Sequence, residues 1–315
     1  MVAGVRERQP RALARAISVV EDGAPEVRAL MQAVAADAGH AHVIGLTGSP
    51  GVGKSTTTSA LISHYRGLDF SVAVLACDPT SPFSGGAILG DRVRMQEHFL
   101  DPGVYIRSMA SRGHLGGLSA TTTQAARLLD AAGFDIILIE TVGVGQSEVE
   151  VAAAADTTVV LLAPGMGDGI QATKAGILEV GDIFVVNKAD RDGAHETVRE
   201  LRHSLSLAAD VRAHPADPDE WTQPILLTVA STGQGIAELA EALASHRTWL
   251  TTTEPGQARA SLRAAAELEA VVLATLRARA HAVRDDARFA ALAAQVAAGS
   301  RDAYTAAEVL LSERD

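Results

Sequence analysis

Seven short apolar segments constrain the fold more than any other feature of this 315-residue chain. Most are apolar throughout, which is typical of strands buried on both faces of a parallel sheet. Helix-forming or glycine-rich segments separate them, so we predict a doubly wound α/β domain with a mostly parallel sheet. The segments are HVIGL at 42–46, SVAVLAC at 71–77, GVYIR at 103–107, FDIILIE at 134–140, TTVVLLA at 157–163, IFVVN at 183–187 and ILLTVA at 225–230.

The chain divides by composition into three parts. Residues 10–40 resemble two helices separated by EDGAP, so residues 1–40 are predicted to form an N-terminal helical extension. Residues 41–250 hold the predicted strands. Beyond them the sequence is rich in Ala, Leu, Arg and Glu, with apolar positions at helical spacing. Residues 251–315 are therefore predicted to be a helical arm, which either packs on the chain's own domain or serves in self-association.

Composition disfavours several classes of protein. The net charge is −11 and no long basic run is present, which argues against a nucleic-acid partner. The chain has a single cysteine, Cys77, which excludes an internal disulfide framework. Because Cys77 lies in an apolar run, it is predicted to be a buried strand residue. We find no apolar signal core and no run of transmembrane length. The sequence therefore predicts a cytoplasmic protein without a membrane partner.

A glycine-rich loop, GSPGVGKS, lies between the apolar segment VIGL and the helix-forming segment STTTSALISHYR. Its pattern, Gly48-x-x-x-x-Gly53-Lys54-Ser55, is that of a phosphate-binding loop in the expected strand–loop–helix setting. Glycines allow backbone N–H groups to point at phosphates, and the helix N-terminus favours an anion. Lys54 is predicted to reach the β- and γ-phosphates, and Ser55 to ligate Mg²⁺. The predicted nucleotide-binding residues here are Gly48, Ser49, Pro50, Gly51, Val52, Gly53, Lys54, Ser55 and Thr56.

The segment VVNKAD indicates which base is bound. Asp190 can accept two hydrogen bonds from the N1–H and exocyclic amine of guanine, a donor pair that adenine lacks. Two such bonds, each worth about 1.5–3 kcal/mol, would select one purine strongly. Asn187 belongs to the same motif, and the stem of Lys188 can cover the base. The sequence therefore predicts GTP and GDP as ligands.

A second segment, TVASTGQGI at 228–236, resembles the part of GTPases whose backbone contacts the base carbonyl. Ala230 matches that pattern. Val229 stands where serine is usual, so the predicted contact depends on the backbone.

Two acidic residues follow apolar segments on the same side of the predicted sheet. Glu140 begins ETVG, where an ordinary small GTPase carries aspartate, and Asp78 begins DPTSP. Strand-end carboxylates beside a phosphate loop are suited to organise Mg²⁺ and its water ligands. A helix cap is the alternative role for either residue.

Several long segments together resemble the MeaB/ArgK GTPases, over about residues 10–310. They are TGSPGVGKST, DPTSPFSGGAILGDRVRM, RGHLGGLS, ETVGVGQSE and GMGDGIQATKAGILEVGDIFVVNKAD, together with the helical C-terminal tail. The resemblance implies a G-protein chaperone of an adenosylcobalamin-dependent acyl-CoA mutase, usually methylmalonyl-CoA mutase. Such a protein gates cofactor loading and protects the mutase from inactivation. The resemblance also implies a homodimer with the C-terminal helices as its dimerisation arm.

The same resemblance implies roles for further residues. Asp78 and Glu140 lie where the family places carboxylates around Mg²⁺, and Asp91 matches an acid that approaches the metal in the triphosphate state. Lys174 resembles a lysine needed for partner-stimulated hydrolysis. The predicted catalytic residues are thus Lys54, Glu140, Asp91 and Lys174, and the predicted metal ligands are Ser55, Asp78, Asp91 and Glu140.

The sequence has no obvious glutamine at the position that orients the attacking water in other GTPases. Gln146 lies near that position, but nothing in the sequence supports this role for it. Slow intrinsic turnover, accelerated by the mutase, is therefore expected. Arg112 and His114 in SRGHLGGLS are candidates for relaying the nucleotide state.

Two rival functions remain open from the residues alone. A metallochaperone of the same phosphate-loop class predicts a cluster of His or Cys ligands, whereas the ten histidines are scattered. A kinase, which the resemblance to ArgK would link to amino-acid transport, needs a base near the γ-phosphate, and Asp78 could serve as that base. A purely structural nucleotide binder fits poorly with the intact Lys54 and Ser55.

Overall fold

The structure is a computed structural model that describes residues 1–79, 95–111, 117–141, 153–165, 177–211, 219–282 and 287–311. The chain divides into two compact units, Met1–Ala266 and Glu267–Asp315. The divisions predicted after residues 40 and 250 stay predictions.

The first unit is built on a seven-stranded sheet with the strand order β3-β2-β4-β1-β5-β6-β7. Every adjacent pair is parallel. The strands are β1 His42–Thr47, β2 Val72–Pro79, β3 Val104–Ser111, β4 Ile136–Thr141, β5 Thr157–Leu162, β6 Ile183–Asn187 and β7 Ile225–Thr228. The predicted doubly wound α/β fold is confirmed. Strand β3 continues beyond its predicted end because β2 provides backbone partners as far as Pro79, which pairs with Ser111.

Helices connect the strands and extend the chain at both ends. They are α1 Val2–Arg6, α2 Pro10–Glu21, α3 Val27–Val34, α4 Lys54–Arg66, α5 Gly117–Ala131, α6 Ile177–Val180, α7 Ala194–Val211, α8 Ile236–Thr252 and α9 Glu254–Ala282. Two further helices, α10 Ala287–Ala297 and α11 Ala303–Leu311, lie in the second unit. None of the helices in the described ranges is long and apolar enough to cross a membrane.

Alternate residues of the strands face two separate hydrophobic cores, as expected for a sheet covered on both sides. In β2, Ala73 and Leu75 face a core shared with α2 and α5, whereas Val72 and Val74 face a core shared with α4 and α8. Cys77 is buried on the first of these faces, as predicted. The N-terminal helices therefore form part of one covering layer.

A buried polar cluster joins the amino ends of the strands to α8 and α9. Thr157 Oγ1 lies 2.7 Å from His42 Nε2 and 2.8 Å from His246 Nδ1. Asp182 Oδ1 pairs with Arg259 Nη2 of α9 at 2.6 Å. Burial lowers the pKa of both His42 and His246 to about 3, so both rings stay neutral near pH 7. The start of α9 is thereby fixed at the edge opposite the phosphate loop.

The second unit has a small core of its own. Leu292 of α10 packs against Ala306 and Leu310 of α11. Asp302 caps α11 by accepting hydrogen bonds from the backbone N–H groups of Tyr304 and Thr305, each at 3.0 Å. These contacts define a helical hairpin after α9.

Candidate nucleotide-binding site

Residues 48–53 form the predicted loop between β1 and α4, and Lys54, Ser55 and Thr56 begin α4. Gly48 and Gly53 have positive φ angles of 137° and 101°. A Cβ atom on Gly48 would lie less than 3.0 Å from the carbonyl oxygen of Leu161 in β5. A Cβ atom on Gly53 would come equally close to the side-chain amide of Asn187. Only glycine allows the loop to approach β5 and Asn187 in this way.

The ammonium group of Lys54 lies inside this loop. Nζ donates hydrogen bonds to the carbonyl oxygens of Gly48 at 2.6 Å and Ser49 at 3.2 Å. The residue is only 7% exposed. A buried positive charge is therefore held within a concave turn of backbone, an arrangement that suits a phosphate group.

Glu140, near the end of β4, joins two hydroxyl groups on the first turns of α4. Ser55 Oγ donates to Oε1 at 2.6 Å, and Thr58 Oγ1 donates to Oε2 at 2.8 Å. Glu140 is only 2% exposed. Because the proton of Ser55 points to Glu140, the lone pairs of its oxygen remain available to a cation. An all-oxygen set of this kind fits Mg²⁺. Thr58 was not predicted, although it lies one helical turn after Ser55.

Asp78 lies at the same edge of the sheet. Its neighbour Cys77 is in register with Thr141, the residue after Glu140. The backbone of β2 therefore brings Asp78 to the level of the loop that follows Glu140. The side chain of Asp78 lies outside the described residues, as do Asp91, Arg112, His114, Gln146 and Lys174.

Asn187, the last residue of β6, connects the phosphate loop to β7. Its Nδ2 donates to the carbonyl oxygen of Val52 at 2.9 Å. Its Oδ1 accepts hydrogen bonds from the backbone N–H of Ala230 and from Thr228 Oγ1, each at 3.1 Å. The residue is buried. The carboxamide thus fixes the relative position of three segments, and sequence reasoning missed Thr228 as one of its partners.

The turn after Asn187 is also attached to the phosphate loop. Lys188 has a positive φ of 57°, and its Nζ donates to the carbonyl oxygen of Gly51 at 2.6 Å. The N–H of Ala189 donates to the carbonyl of Thr228 at 3.0 Å. Asp190 is exposed and lines a cavity with residues 191–196 and Arg199. Its carboxylate is therefore open to a ligand.

Val229 and Ala230 lie in the turn after β7. The N–H of Val229 donates to the carbonyl of Gln234 at 3.0 Å, which closes the turn. Both residues are buried beside Asn187. The structure therefore brings the phosphate loop, the NKAD turn and the 229–230 turn together at the carboxyl edge of the sheet.

Fold and site together define a phosphate-loop protein of the GTPase class. Residues 13–285 match the family described as methylmalonyl Co-A mutase-associated GTPase MeaB, and the chain belongs to this family. The resemblance to the MeaB/ArgK GTPases is thereby confirmed.

Two curated relatives and one solved structure extend this comparison. A putative GTPase from Pyrococcus horikoshii is 41% identical over 313 residues, covering 99% of this chain and 97% of the relative. GTPase ArgK from Escherichia coli is 38% identical over 253 residues, covering 79% of this chain and 76% of the relative. The crystal structure of a LAO/AO transport system kinase has a TM-score of 0.64 at 26% identity, covering 98% of this chain and 94% of that one.

The contact between Gly53 and Asn187 can be tested with a matched pair of substitutions. Both Gly53 and Gly51 have positive φ angles, but a Cβ on Gly51 would meet nothing within 4 Å. Backbone strain should therefore be similar in the two alanine variants. We expect Gly53→Ala to lower the free energy of unfolding by about 2 kcal/mol more than Gly51→Ala, because it displaces the buried Asn187 amide. Urea denaturation of the nucleotide-free protein measures this difference, and equal losses would contradict it.

Proposed function

We propose that this chain is a GTP-hydrolysing chaperone of an adenosylcobalamin-dependent acyl-CoA mutase, methylmalonyl-CoA mutase or a relative, and that it acts in the cytoplasm. It would gate cofactor loading and protect the mutase from inactivation. The observation that carries this proposal is the family match over residues 13–285, described as a methylmalonyl Co-A mutase-associated GTPase.

The arrangement of the site supports hydrolysis of a nucleoside triphosphate. Lys54 would exchange the carbonyl oxygens of Gly48 and Ser49 for oxygens of the β- and γ-phosphates. Ser55 would ligate Mg²⁺, with Glu140 and Asp78 beside its water ligands. Bound Mg²⁺ would supply neutralisation of the phosphate charge. Glu140 would also keep Ser55 and the start of α4 in place throughout turnover, since it holds two of that helix's hydroxyl groups.

Charge stabilisation and positioning account for most of the catalysis of phosphoryl transfer. We propose that Asp91 and Lys174 complete the site only when the mutase is bound. Turnover would then be slow in the isolated protein and fast in the complex. Completion of a site by a partner's residue raises the rate about 10³-fold or more in other GTPases.

The proposed choice of guanine depends on Asp190. We expect Asp190→Ala to reduce the preference for GTP over ATP by at least about tenfold, because two charge-assisted hydrogen bonds to the base are lost. Competition binding with a fluorescent guanine nucleotide measures both affinities. Asp192→Ala, which removes another exposed carboxylate from the same loop, is the control and should keep the preference. Unchanged selectivity in Asp190→Ala would refute the assignment of this residue.

The chaperone proposal is tested by hydrolysis in the presence of the mutase. We expect the mutase to stimulate GTP turnover at least about tenfold, and Lys174→Ala to abolish most of that stimulation. Arg202→Ala on the exposed surface of α7 is the control. Released phosphate should equal the GTP consumed. Stimulation that survives intact in Lys174→Ala would eliminate the role of this lysine. Transfer of the γ-phosphate to an acceptor other than water would instead favour the kinase that the name of the structural neighbour indicates.

We also propose that the chain forms a homodimer through α9. This helix exposes several large apolar side chains, with Leu268, Val272 and Leu276 spaced four residues apart on one face. Such a stripe is unfavourable in water and is suited to a partner helix.

Sedimentation equilibrium tests the dimer. We expect a mass near twice 32.6 kDa for the wild type and near 32.6 kDa for the double variant Leu268→Lys, Leu276→Lys. Leu207→Lys changes an equally exposed leucine of α7 and serves as the control. A double variant with the wild-type mass would show that α9 is not the interface.

A further inference from the structure

Four large apolar side chains lie exposed on two neighbouring loops, at the edge of the sheet opposite the nucleotide site. They belong to segments 66–70 and 97–101, which precede β2 and β3. Leu100 is 96% exposed and Leu68 is 56% exposed, and both Phe70 and Phe99 have exposed rings. We name this surface the 68–100 patch; it consists of Leu68, Phe70, Phe99 and Leu100. Several exposed apolar side chains on adjacent segments, as found here, typically mark a site of protein association.

Arg66 links the two loops through hydrogen bonds. Its Nε donates to Asp101 Oδ2 at 2.8 Å, and its Nη1 donates to the carbonyl oxygen of Phe70 at 2.8 Å. The bond raises the pKa of Arg66 and lowers the pKa of Asp101, so both groups stay charged. Asp101 also accepts a hydrogen bond from the backbone N–H of Gly103 at 2.8 Å. The patch is therefore preorganised, which reduces the entropy lost when a partner binds.

Within its own two segments, the 68–100 patch has an acidic border. Its two segments hold three carboxylates, Asp69, Glu97 and Asp101, against the single guanidinium of Arg66. Asp69 and Glu97 are exposed. Glu97 is held in place by Ser59 Oγ, which donates to it at 2.5 Å.

This charge pattern selects among the possible partners. In a two-fold interface with a second copy, the acidic border would face itself, which costs free energy. An anionic lipid surface or a nucleic acid would be repelled in the same way. A protein surface with an apolar centre and Lys or Arg at its border would complement the patch both in charge and in hydrophobicity.

We propose that the 68–100 patch is a docking surface for the mutase, through a basic-bordered apolar region of that enzyme. This inference rests on the proposed function. Because the patch and the nucleotide site lie at opposite edges of the sheet, the patch recruits the partner and takes no part in the chemistry. Substitutions in it should change the affinity for the mutase and leave the intrinsic GTP turnover unaltered.

The test uses the full chain loaded with a non-hydrolysable GTP analogue and the purified mutase, with binding measured by isothermal titration calorimetry. We expect Leu100→Asp to weaken binding at least about tenfold, with wild-type intrinsic turnover. Leu207→Asp is the matched control, since it places the same charge at an exposed leucine elsewhere and should bind normally.

A second variant tests the acidic border without disturbing local structure. Glu97→Gln can still accept the hydrogen bond from Ser59, and Asp69→Asn suits the positive φ of 63° at that position. We expect the double variant to associate more slowly with the mutase, and its association rate to depend less on salt.

The possible outcomes distinguish failure of the docking surface from failure of the proposed function. A wild-type chain that does not bind the mutase overturns the proposed function, and the docking surface with it. A wild-type chain that binds, with Leu100→Asp binding equally well, overturns the docking surface alone. A homodimer that dissociates on Leu100→Asp substitution would identify the patch as a self-association surface and equally refute the proposal.

Discussion

The carboxamide of Asn187 is the interaction on which the geometry of the nucleotide site depends. It lies at the end of β6 and holds the phosphate loop on one side and the turn after β7 on the other. A buried amide that lost one of these partners would leave a polar group unsatisfied, at a cost of about 1–3 kcal/mol. The glycine at position 53 is required by the same contact, because a Cβ there would displace the amide. The base-reading turn and the phosphate loop are therefore held together by a single side chain.

Glu140 plays a comparable part on the other side of the loop. Its two oxygens hold Ser55 and Thr58, so one buried carboxylate positions the first turns of α4. A glutamate reaches further than the aspartate of ordinary small GTPases by one methylene. That extra reach allows a residue on β4 to contact hydroxyl groups one turn apart on α4. The hydroxyl groups that bind the longer carboxylate of Glu140 thus lie on α4, outside the ETVG motif.

The parts that sequence could predict are those encoded locally. Strand positions followed from apolar runs, and the loop followed from a pattern with fixed spacing. Thr58 and Thr228 were missed because their partners lie 82 and 41 residues away. The cluster of His42, Thr157 and His246 was likewise unpredictable, since it forms only when the amino ends of separate strands assemble. Pairwise contacts of this kind depend on strand order, which periodicity does not specify.

Helix α4 connects the two edges of the sheet. It begins at Lys54 and Ser55 in the nucleotide site and ends at Arg66, which braces the 68–100 patch. Thirteen residues of α-helix span about 20 Å. Between these ends, Thr58 is held by Glu140 and Ser59 by Glu97, so the helix is attached to the sheet on one side and to the patch segment on the other. A partner docked at the patch would therefore be connected to the phosphate loop through α4. This connection would set the position of the partner relative to the nucleotide, and it requires no conformational change transmitted through the core.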